Sequence, residues 1–247
     1  MIDDMTYFDR VKTGIPGLDG ILHGGFIKGS NVLLSGFAGT GKTIFCIQYL
    51  VSGILNYDEP GVLVTLEELP KELRREALQF DWDLKKFEED NKLIIIDAAS
   101  AKAGLPTDEK FAIRRGFDIN ELAEQIYTAV SKINAKRLVL DSISSLDIRF
   151  NDPQALRTAI FKISALLREL GVTSIMTSEM VDSGAFSRYG VEEFIAQGLI
   201  LLYLREQDTE LRRSLVVLKM RSTAHSLRRY PFEISSVGLV VMPGEEI

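Results

Sequence analysis

The order of apolar and helical segments predicts an α/β fold: a mostly parallel central sheet covered by helices on both faces, with antiparallel strands added at the C-terminus. Three observations carry this expectation. Short runs rich in Val, Ile and Leu alternate with longer stretches whose apolar residues recur at helical spacing, the pattern of strand–helix–strand units with buried parallel strands. A glycine-rich turn, Gly36 to Thr43, joins the first such strand to the first such helix. From Leu199 onward the helical spacing stops, and apolar runs are separated only by polar turns.

Val32-Leu33-Leu34 is the first strand, and Ile44 to Ile54 is the helix behind the glycine turn. Asp58-Glu59-Pro60-Gly61 turns the chain into Val62–Leu66, a second buried strand. Pro70 opens a helix to about Phe80, and a short one follows near Leu84. Leu93–Ile96 is a third apolar run, ending at Asp97. From Ala98 to Gly116 no period holds, which predicts an exposed loop. Asp118 is placed to cap the next helix with Glu121 as its reciprocal partner, and Ile119, Leu122, Ile126, Val130 and Ile133 form its apolar face. Leu138–Asp141 is the fourth strand. Pro153 starts a helix with Leu156, Ile160, Ile163, Leu167 and Leu170 on one face, stopped by Gly171. Val172–Thr177 is the fifth strand. Leu199–Leu204, Ser214–Met220, Phe232–Ile234 and Leu239–Met242 read as shorter strands. With no repeat, low-complexity segment or composition shift, residues 1–247 are expected to form one domain.

Bulk properties narrow the class of protein. The chain is 46% hydrophobic and 26% charged, ordinary for a soluble domain with ample core material. No run approaches the roughly 18 apolar residues that span a membrane. The acidic start Met1-Ile2-Asp3-Asp4 is unlike a signal peptide, so a cytoplasmic location is expected. The single cysteine, Cys46, reads as a small core residue rather than a reactive thiol. A net charge of −6 does not favour non-specific binding along nucleic acid. Positive charge gathers between Arg205 and Arg229, where Arg212, Arg213, Lys219, Arg221 and Arg228 also lie.

Gly36-Phe37-Ala38-Gly39-Thr40-Gly41-Lys42-Thr43 fits G-x-x-x-x-G-K-[ST] in the strand–loop–helix context that gives the pattern meaning. Glycines let successive backbone N–H groups turn inward around phosphate oxygens, and the helix behind adds its positive end. Lys42 supplies a cation for the outer phosphates and Thr43 a hydroxyl for Mg²⁺. The chain is therefore expected to bind a nucleoside triphosphate. Asp141, at the end of an apolar strand, is where such proteins place an acid on the Mg²⁺ shell. Glu67 and Glu68 follow the second strand and suit a carboxylate that activates water. They equally suit a solvated helix start. Lys219 and Arg221 alternate on a strand, so both are expected on one side with Leu218 and Met220 on the other. Two fixed cations answer a developing phosphoryl charge, although a solvated strand face explains them as well. His225 reads as a hydrogen-bonded loop histidine, and with only His23 beside it no metal cluster is expected.

In order along the chain stand Val11-Lys12-Thr13-Gly14-Ile15-Pro16-Gly17-Leu18-Asp19, His23-Gly24-Gly25, the phosphate loop, Leu66-Glu67-Glu68, Asp141-Ser142, Arg188 to Phe194, and Lys219-Met220-Arg221-Ser222-Thr223-Ala224-His225. This series resembles the KaiC ATPase family within the RecA/RadA/DnaB superfamily, and its N-terminal ATPase domain in particular, from about residue 11 to 243. The resemblance implies a RecA-like P-loop NTPase core and a homo-oligomer, a hexameric ring with ATP and Mg²⁺ bound between neighbours. It implies phosphate-side contacts from Gly39, Thr40, Gly41, Lys42, Thr43 and Ile44, and catalysis by Glu67 and Glu68. It implies contacts to the adjacent subunit's nucleotide from Lys219, Met220, Arg221, Thr223 and His225. Ser235 and Ser236 fall where the family often has Thr-Asp and join that adjacent-subunit set, and Gln79 matches a further nucleotide-side position. The clock members are tandems of two such domains, whereas this chain carries one. The second domain's adjacent Ser-Thr pair has no counterpart, so a phosphorylation rhythm is not expected.

Three functions follow from these residues. The leading one is an ATP-hydrolysing ring acting as a switch, with a protein signalling partner. The second is a RadA-like ATPase binding single-stranded DNA through Arg149–Asp152 and Asp182–Tyr189, which carry few cations and several acids. The third is a regulatory module that binds nucleotide and barely turns it over.

Overall fold

The computed structural model describes residues 8–114, 118–149, 152–182, 184–207 and 209–245. Two short strands, β1 (Arg10–Val11) and β2 (Phe26–Ile27), pair antiparallel and enclose helix α1 (Leu18–Ile21). The chain then alternates through β3 (Asn31–Gly36), α2 (Lys42–Tyr57), β4 (Gly61–Thr65), α3 (Pro70–Ala77), α4 (Leu84–Glu89) and β5 (Leu93–Asp97). It continues through α5 (Ala99–Ala103), β6 (Phe111–Ala112), α6 (Ile119–Ile133), β7 (Arg137–Asp141), α7 (Pro153–Glu169) and β8 (Thr173–Glu179). After α8 (Glu192–Ile195) come β9 (Gly198–Gln207), β10 (Glu210–Met220), β11 (Arg229–Ser235) and β12 (Gly238–Val241).

Ten strands form one sheet in the order β12-β11-β10-β9-β3-β8-β7-β4-β5-β6. From β9 to β6 every neighbouring pair is parallel, and β9 to β12 pair antiparallel, as the sequence predicts. Strands β3, β4 and β5 are buried along their whole length, which is why they read as unbroken apolar runs. One core lies on the face of α2 and takes in Phe45, Tyr49 and Leu50, together with Leu215, Phe232 and Leu239 from the C-terminal strands. The other lies under α6 and α7, around Leu122, Ile126, Ile160 and Leu167. Helices thus cover both faces.

Arg137, wholly buried at the start of β7, ties that strand to α2. It pairs with Glu59 at 2.6 Å, donates to the Tyr49 carbonyl at 2.7 Å and lies 4.5 Å from the Tyr49 ring centre. A buried charge of this kind is tolerated because it is paired and hydrogen-bonded. The effect is to hold the helix behind the glycine turn against the strand that ends in Asp141.

Several expectations are corrected. Residues 99–103 form a helix rather than an exposed loop, and Ala98, Ala99 and Ser100 are buried. The Asp97 carboxylate accepts from the Ser100 N–H at 2.9 Å and from Thr107 at 2.6 Å, a local cap that has no periodic signature. Asp118 caps α6 as expected, but Glu121 accepts from the Arg114 N–H at 3.1 Å instead of returning to the cap. The C-terminal strands are not all short, since β9 and β10 run 10 and 11 residues. Strand β10 stops at Met220, so Arg221 lies in the following turn, and a register shift between Val217 and Lys219 breaks simple alternation. Gly116 and, in the stretches weighed for DNA, Phe150, Asn151 and Ser183 lie outside the described residues.

Candidate functional site

Strands β3, β4, β7 and β8 are parallel, so their carboxyl ends gather at one end of the sheet. Gly36 ends β3 and the loop runs from it into α2. Gly39 and Gly41 hold positive φ of 77° and 96°, the left-handed region that a side chain resists. At Gly41 a Cβ would also lie 2.6 Å from Ile234 Cδ1, so the C-terminal strand β11 presses directly on the loop. Thr40 is buried and donates to the Phe37 carbonyl at 2.8 Å. The Lys42 ammonium donates to the carbonyls of Gly36 and Phe37 at 2.9 and 3.1 Å, which keeps it folded over the loop. Ile44 packs its side chain against the core on the α2 face.

The acids converge on Thr43. Its hydroxyl donates to Asp141 Oδ2 at 2.8 Å and lies 3.3 Å from Glu68 Oε1. Asp141 is further held by Thr177 from β8 at 2.5 Å. Burial raises the Asp141 carboxyl above its ordinary range, against the hydrogen bonds from Thr177 and Thr43, and Glu67 adds to the rise. Burial and then the charges of Glu76 and Asp141 push Glu68 up to about 7. Glu67 stands apart. Its carboxylate is exposed and takes hydrogen bonds from Ser142 and Ser145, each at 2.6 Å. The sequence reading quoted Ser142 beside Asp141 without giving it a role and missed Ser145, whose position just behind Asp141 is the one signal that pointed to it.

Lys219, Arg221, Thr223 and His225 lie at the other end of the sheet. Met220 pairs with Gly198 and Gly198 with Val32, at the start of β3, whereas the loop leaves β3 from Gly36. Lys219 Nζ donates to the carbonyls of Glu193 and Ala196 at 2.8 and 2.6 Å, and burial followed by the Arg221 charge lowers its affinity for a proton. Arg221 is exposed, Thr223 accepts from Arg10 at 3.0 Å, and His225 approaches the Ser226 carbonyl at 3.3 Å. The Met220 side chain is buried against Gly198. None of these residues is on the same end as its own chain's loop.

Ser235 and Ser236, expected to act together with Lys219, stand at the opposite end of the sheet from it. Strand β11 runs back along β10, from Arg229 opposite Val216 to Pro231 opposite Ser214, and so carries the Ser235–Gly238 turn to the loop end. Gly238, at φ 103°, lies so close to the Gln48 amide and the Trp82 ring that a side chain would not fit. Trp82 stacks on Phe80, with centroids 4.8 Å apart, and exposed Gln79 is the residue beside it. Gln79, Ser235 and Ser236 therefore belong to the loop side of their own chain.

The basic cluster divides in the same way. Arg205, Arg212, Arg213 and Arg229 line a cavity of about 460 Å³ on the loop side, where β11 parts from β10. Arg213 approaches the Gly39 carbonyl at 3.4 Å. Arg229 lies 4.4 Å from the Tyr203 ring centre. No spacing rule in the sequence separated these arginines from Lys219 and Arg221.

Among the described residues no helix is long and apolar enough to cross a membrane, and no group of three or more His, Cys, Asp and Glu is placed to hold a metal ion unaided. A family model described as KaiC ATPase matches residues 11–246. A UPF0273 protein of Methanocaldococcus jannaschii is 46% identical over 236 residues, covering 95% of this chain and 96% of that one. The circadian clock oscillator protein KaiC of Synechococcus elongatus is 39% identical over 235 residues, 95% of this chain but 44% of that protein. This chain thus spans less than half the length of the clock protein. Among solved structures, a KaiC-like protein from the archaeon Pyrococcus horikoshii superposes with a TM-score of 0.84 at 44% identity, covering 96% of this chain and all of that one.

Proposed function

This chain belongs to the KaiC ATPase family, and on that premise we propose that it binds and hydrolyses ATP at sites shared between neighbouring subunits of a ring, as a nucleotide-dependent switch. In this reading residues 1–247 form one ATPase domain and six copies form the ring. The observation that carries this reading is the division of the chemistry. The glycine loop, Thr43, Asp141, Glu67 and Glu68 are at one end of the sheet, and Lys219, Arg221, Thr223 and His225 are at the other. A rigid sheet cannot bring its two ends together, so the second set serves the loop of another copy.

Within one site, the backbone of Gly39 to Thr43 and the Lys42 ammonium would hold the phosphates. The donor set fits Mg²⁺: a hydroxyl and a carboxylate 2.8 Å apart, with a second carboxylate 3.3 Å away, are hard oxygen ligands, and the raised Asp141 and Glu68 are acids that a cation would relieve. Thr43 and Asp141 would hold it, and bound there the ion would offset charge on the phosphate oxygens. Glu67 is the residue suited to orient and deprotonate water. Two serine hydroxyls aim it, and it makes no hydrogen bond to Thr43 or Asp141 that would place it in the metal's shell. Lys219 and Arg221 from the neighbour would meet the charge that develops on transfer. Gln79, Ser235 and Ser236 would face the rest of the nucleotide bound to their own loop.

The DNA-dependent reading draws less from the geometry. Arg188 pairs with Glu179 at 3.3 Å, and the Tyr189 hydroxyl donates to the Ser144 carbonyl at 2.5 Å, so neither is a loose stacking or phosphate-binding group.

Size measurement and phosphate release with Mg·ATP test the proposal. The wild-type chain is expected to assemble and release phosphate, and Lys42→Ala to lose turnover. A Lys42→Ala chain matching the wild type in both would overturn it. Wild-type protein that assembles on ATP without releasing phosphate would favour the regulatory module instead.

A further inference from the structure

Glu192, the first residue of α8, is a carboxylate with 0% exposure and, among the described residues, no cationic partner. A buried carboxylate is costly unless hydrogen bonds replace its water. Its Oε2 accepts from the Val191 N–H at 3.1 Å and lies 2.7 Å from the Ser187 hydroxyl, whose one proton is shared with the Glu193 carboxylate. Its Oε1 accepts from the Ser178 hydroxyl at 3.0 Å and the Tyr189 N–H at 3.3 Å. These bonds fasten residues 187–192 to the end of β8.

Two lines of contact leave Glu192, one from its backbone carbonyl and one from its carboxylate. In one direction, the Ala196 N–H donates to the Glu192 carbonyl at 3.0 Å, and the carbonyls of Glu193 and Ala196 hold Lys219 Nζ at 2.8 and 2.6 Å. In the other, Ser178 lies 3.3 Å from the Ser144 hydroxyl, which accepts from the Glu179 N–H at 2.7 Å. Because Glu192 accepts from Ser178, and Ser144 accepts from Glu179, the protons run one way: Ser144 donates to Ser178 and Ser178 to Glu192. Ser144 stands between Ser142 and Ser145, the two residues that aim Glu67. Hydrogen bonds, joined by the backbone of residues 142–145 and of Glu192 itself, therefore lead from the acid at the loop end to the lysine at the far end.

We propose that Glu192 is a positioning residue that links Glu67, acting on the subunit's own nucleotide, to Lys219, acting on the neighbour's, so that hydrolysis at successive sites of the assembly is coupled. This rests on the shared-site reading above. A ligand that tightens Glu67 and its serines shifts the segment from Ser187 to Ala196, and with it the carbonyls that aim Lys219.

The test is subunit poisoning. Wild-type chain is mixed in increasing proportion with Lys42→Ala chain, and phosphate release is read at each fraction. Coupled sites lose activity faster than the poisoned fraction grows, and the wild-type Hill coefficient for ATP exceeds about 1.5. In Glu192→Gln, whose amide nitrogen cannot accept, activity normalised to the unmixed variant should fall in proportion to the poisoned fraction, with the Hill coefficient near 1. A merely structural role would lower the rate or the assembly without changing the shape of that curve. Ser178→Ala cuts the network between its halves and leaves Glu192 its other donors, so it gives the same readout should Glu192→Gln not fold. A wild type that hydrolyses and assembles yet loses activity in proportion, or a Ser178→Ala chain that keeps the steep curve, would overturn the coupling alone. A wild type that neither hydrolyses nor assembles would overturn the functional reading and this inference together.

Discussion

At the scale of the residue, the adjacent acids Glu67 and Glu68 occupy different surroundings and should fail differently. Glu67→Gln removes the carboxylate aimed by Ser142 and Ser145. Phosphate release should fall by about 10²–10³-fold while affinity for a fluorescent nucleotide holds, since general-base catalysis contributes on that order. Comparable loss of affinity would show that Glu67 binds rather than reacts. Cys46 makes a contrasting case. It is buried beside the loop, and burial raises its thiol well above the ordinary range. A thiol reagent at mild alkaline pH should leave the folded protein unlabelled and react fully after denaturation. Rapid native labelling would contradict the packing. The loop, Asp141 and the paired acids were legible as chemistry because their residue types and spacing are the chemistry. The place of Arg213 and the role of the two aiming serines were not, since one arginine of a basic cluster and a serine in a turn carry no pattern of their own.

At the scale of the element, one polar side chain of α2, Gln48, fastens the hairpin of β11 and β12 in addition to its apolar packing. The Gln48 amide donates to the Leu239 carbonyl at 3.0 Å and accepts from the Leu239 N–H at 2.7 Å, all of it buried. Gln48→Ala leaves both backbone groups without partners, at a cost of about 2–3 kcal/mol. Thermal melting should show Tm lower by several degrees. An unchanged Tm would mean that the hairpin is fixed by its apolar contacts alone. The parallel strands and long helices were legible because full burial writes continuous apolar runs for strands and a helical period for helices. Strands β1 and β2 have two residues each and no period to read. Strands β9 and β10 extend beyond the core into Arg205, Glu206, Arg212 and Arg213, and that charge concealed their length. The direction of β11 decides which end of the sheet receives Ser235, and direction within an antiparallel set is a tertiary fact.

At the scale of the whole molecule, division of the site predicts rescue between two inactive chains. Lys42→Ala keeps the far-end cations, and Lys219→Ala keeps the loop. Mixed in equal amounts, random pairing would complete about a quarter of the contacts between copies. Phosphate release should therefore rise from near nothing to at most roughly that share of the wild-type rate, and below it where the sites are coupled. Two inactive variants that stay inactive when mixed would argue for sites completed within one chain. The placement of loop and Lys219 at opposite ends of β3 also constrains geometry beyond chemistry. Copies that meet head-to-tail through these ends put different surfaces in contact, unlike a twofold pair, in which each loop could face the other copy's lysine. A head-to-tail pair strands one loop and one lysine, and every further copy merely moves that leftover outward. Only closure into a cycle satisfies every member, so the sheet's polarity sets a threshold number of subunits below which part of the machinery stands idle.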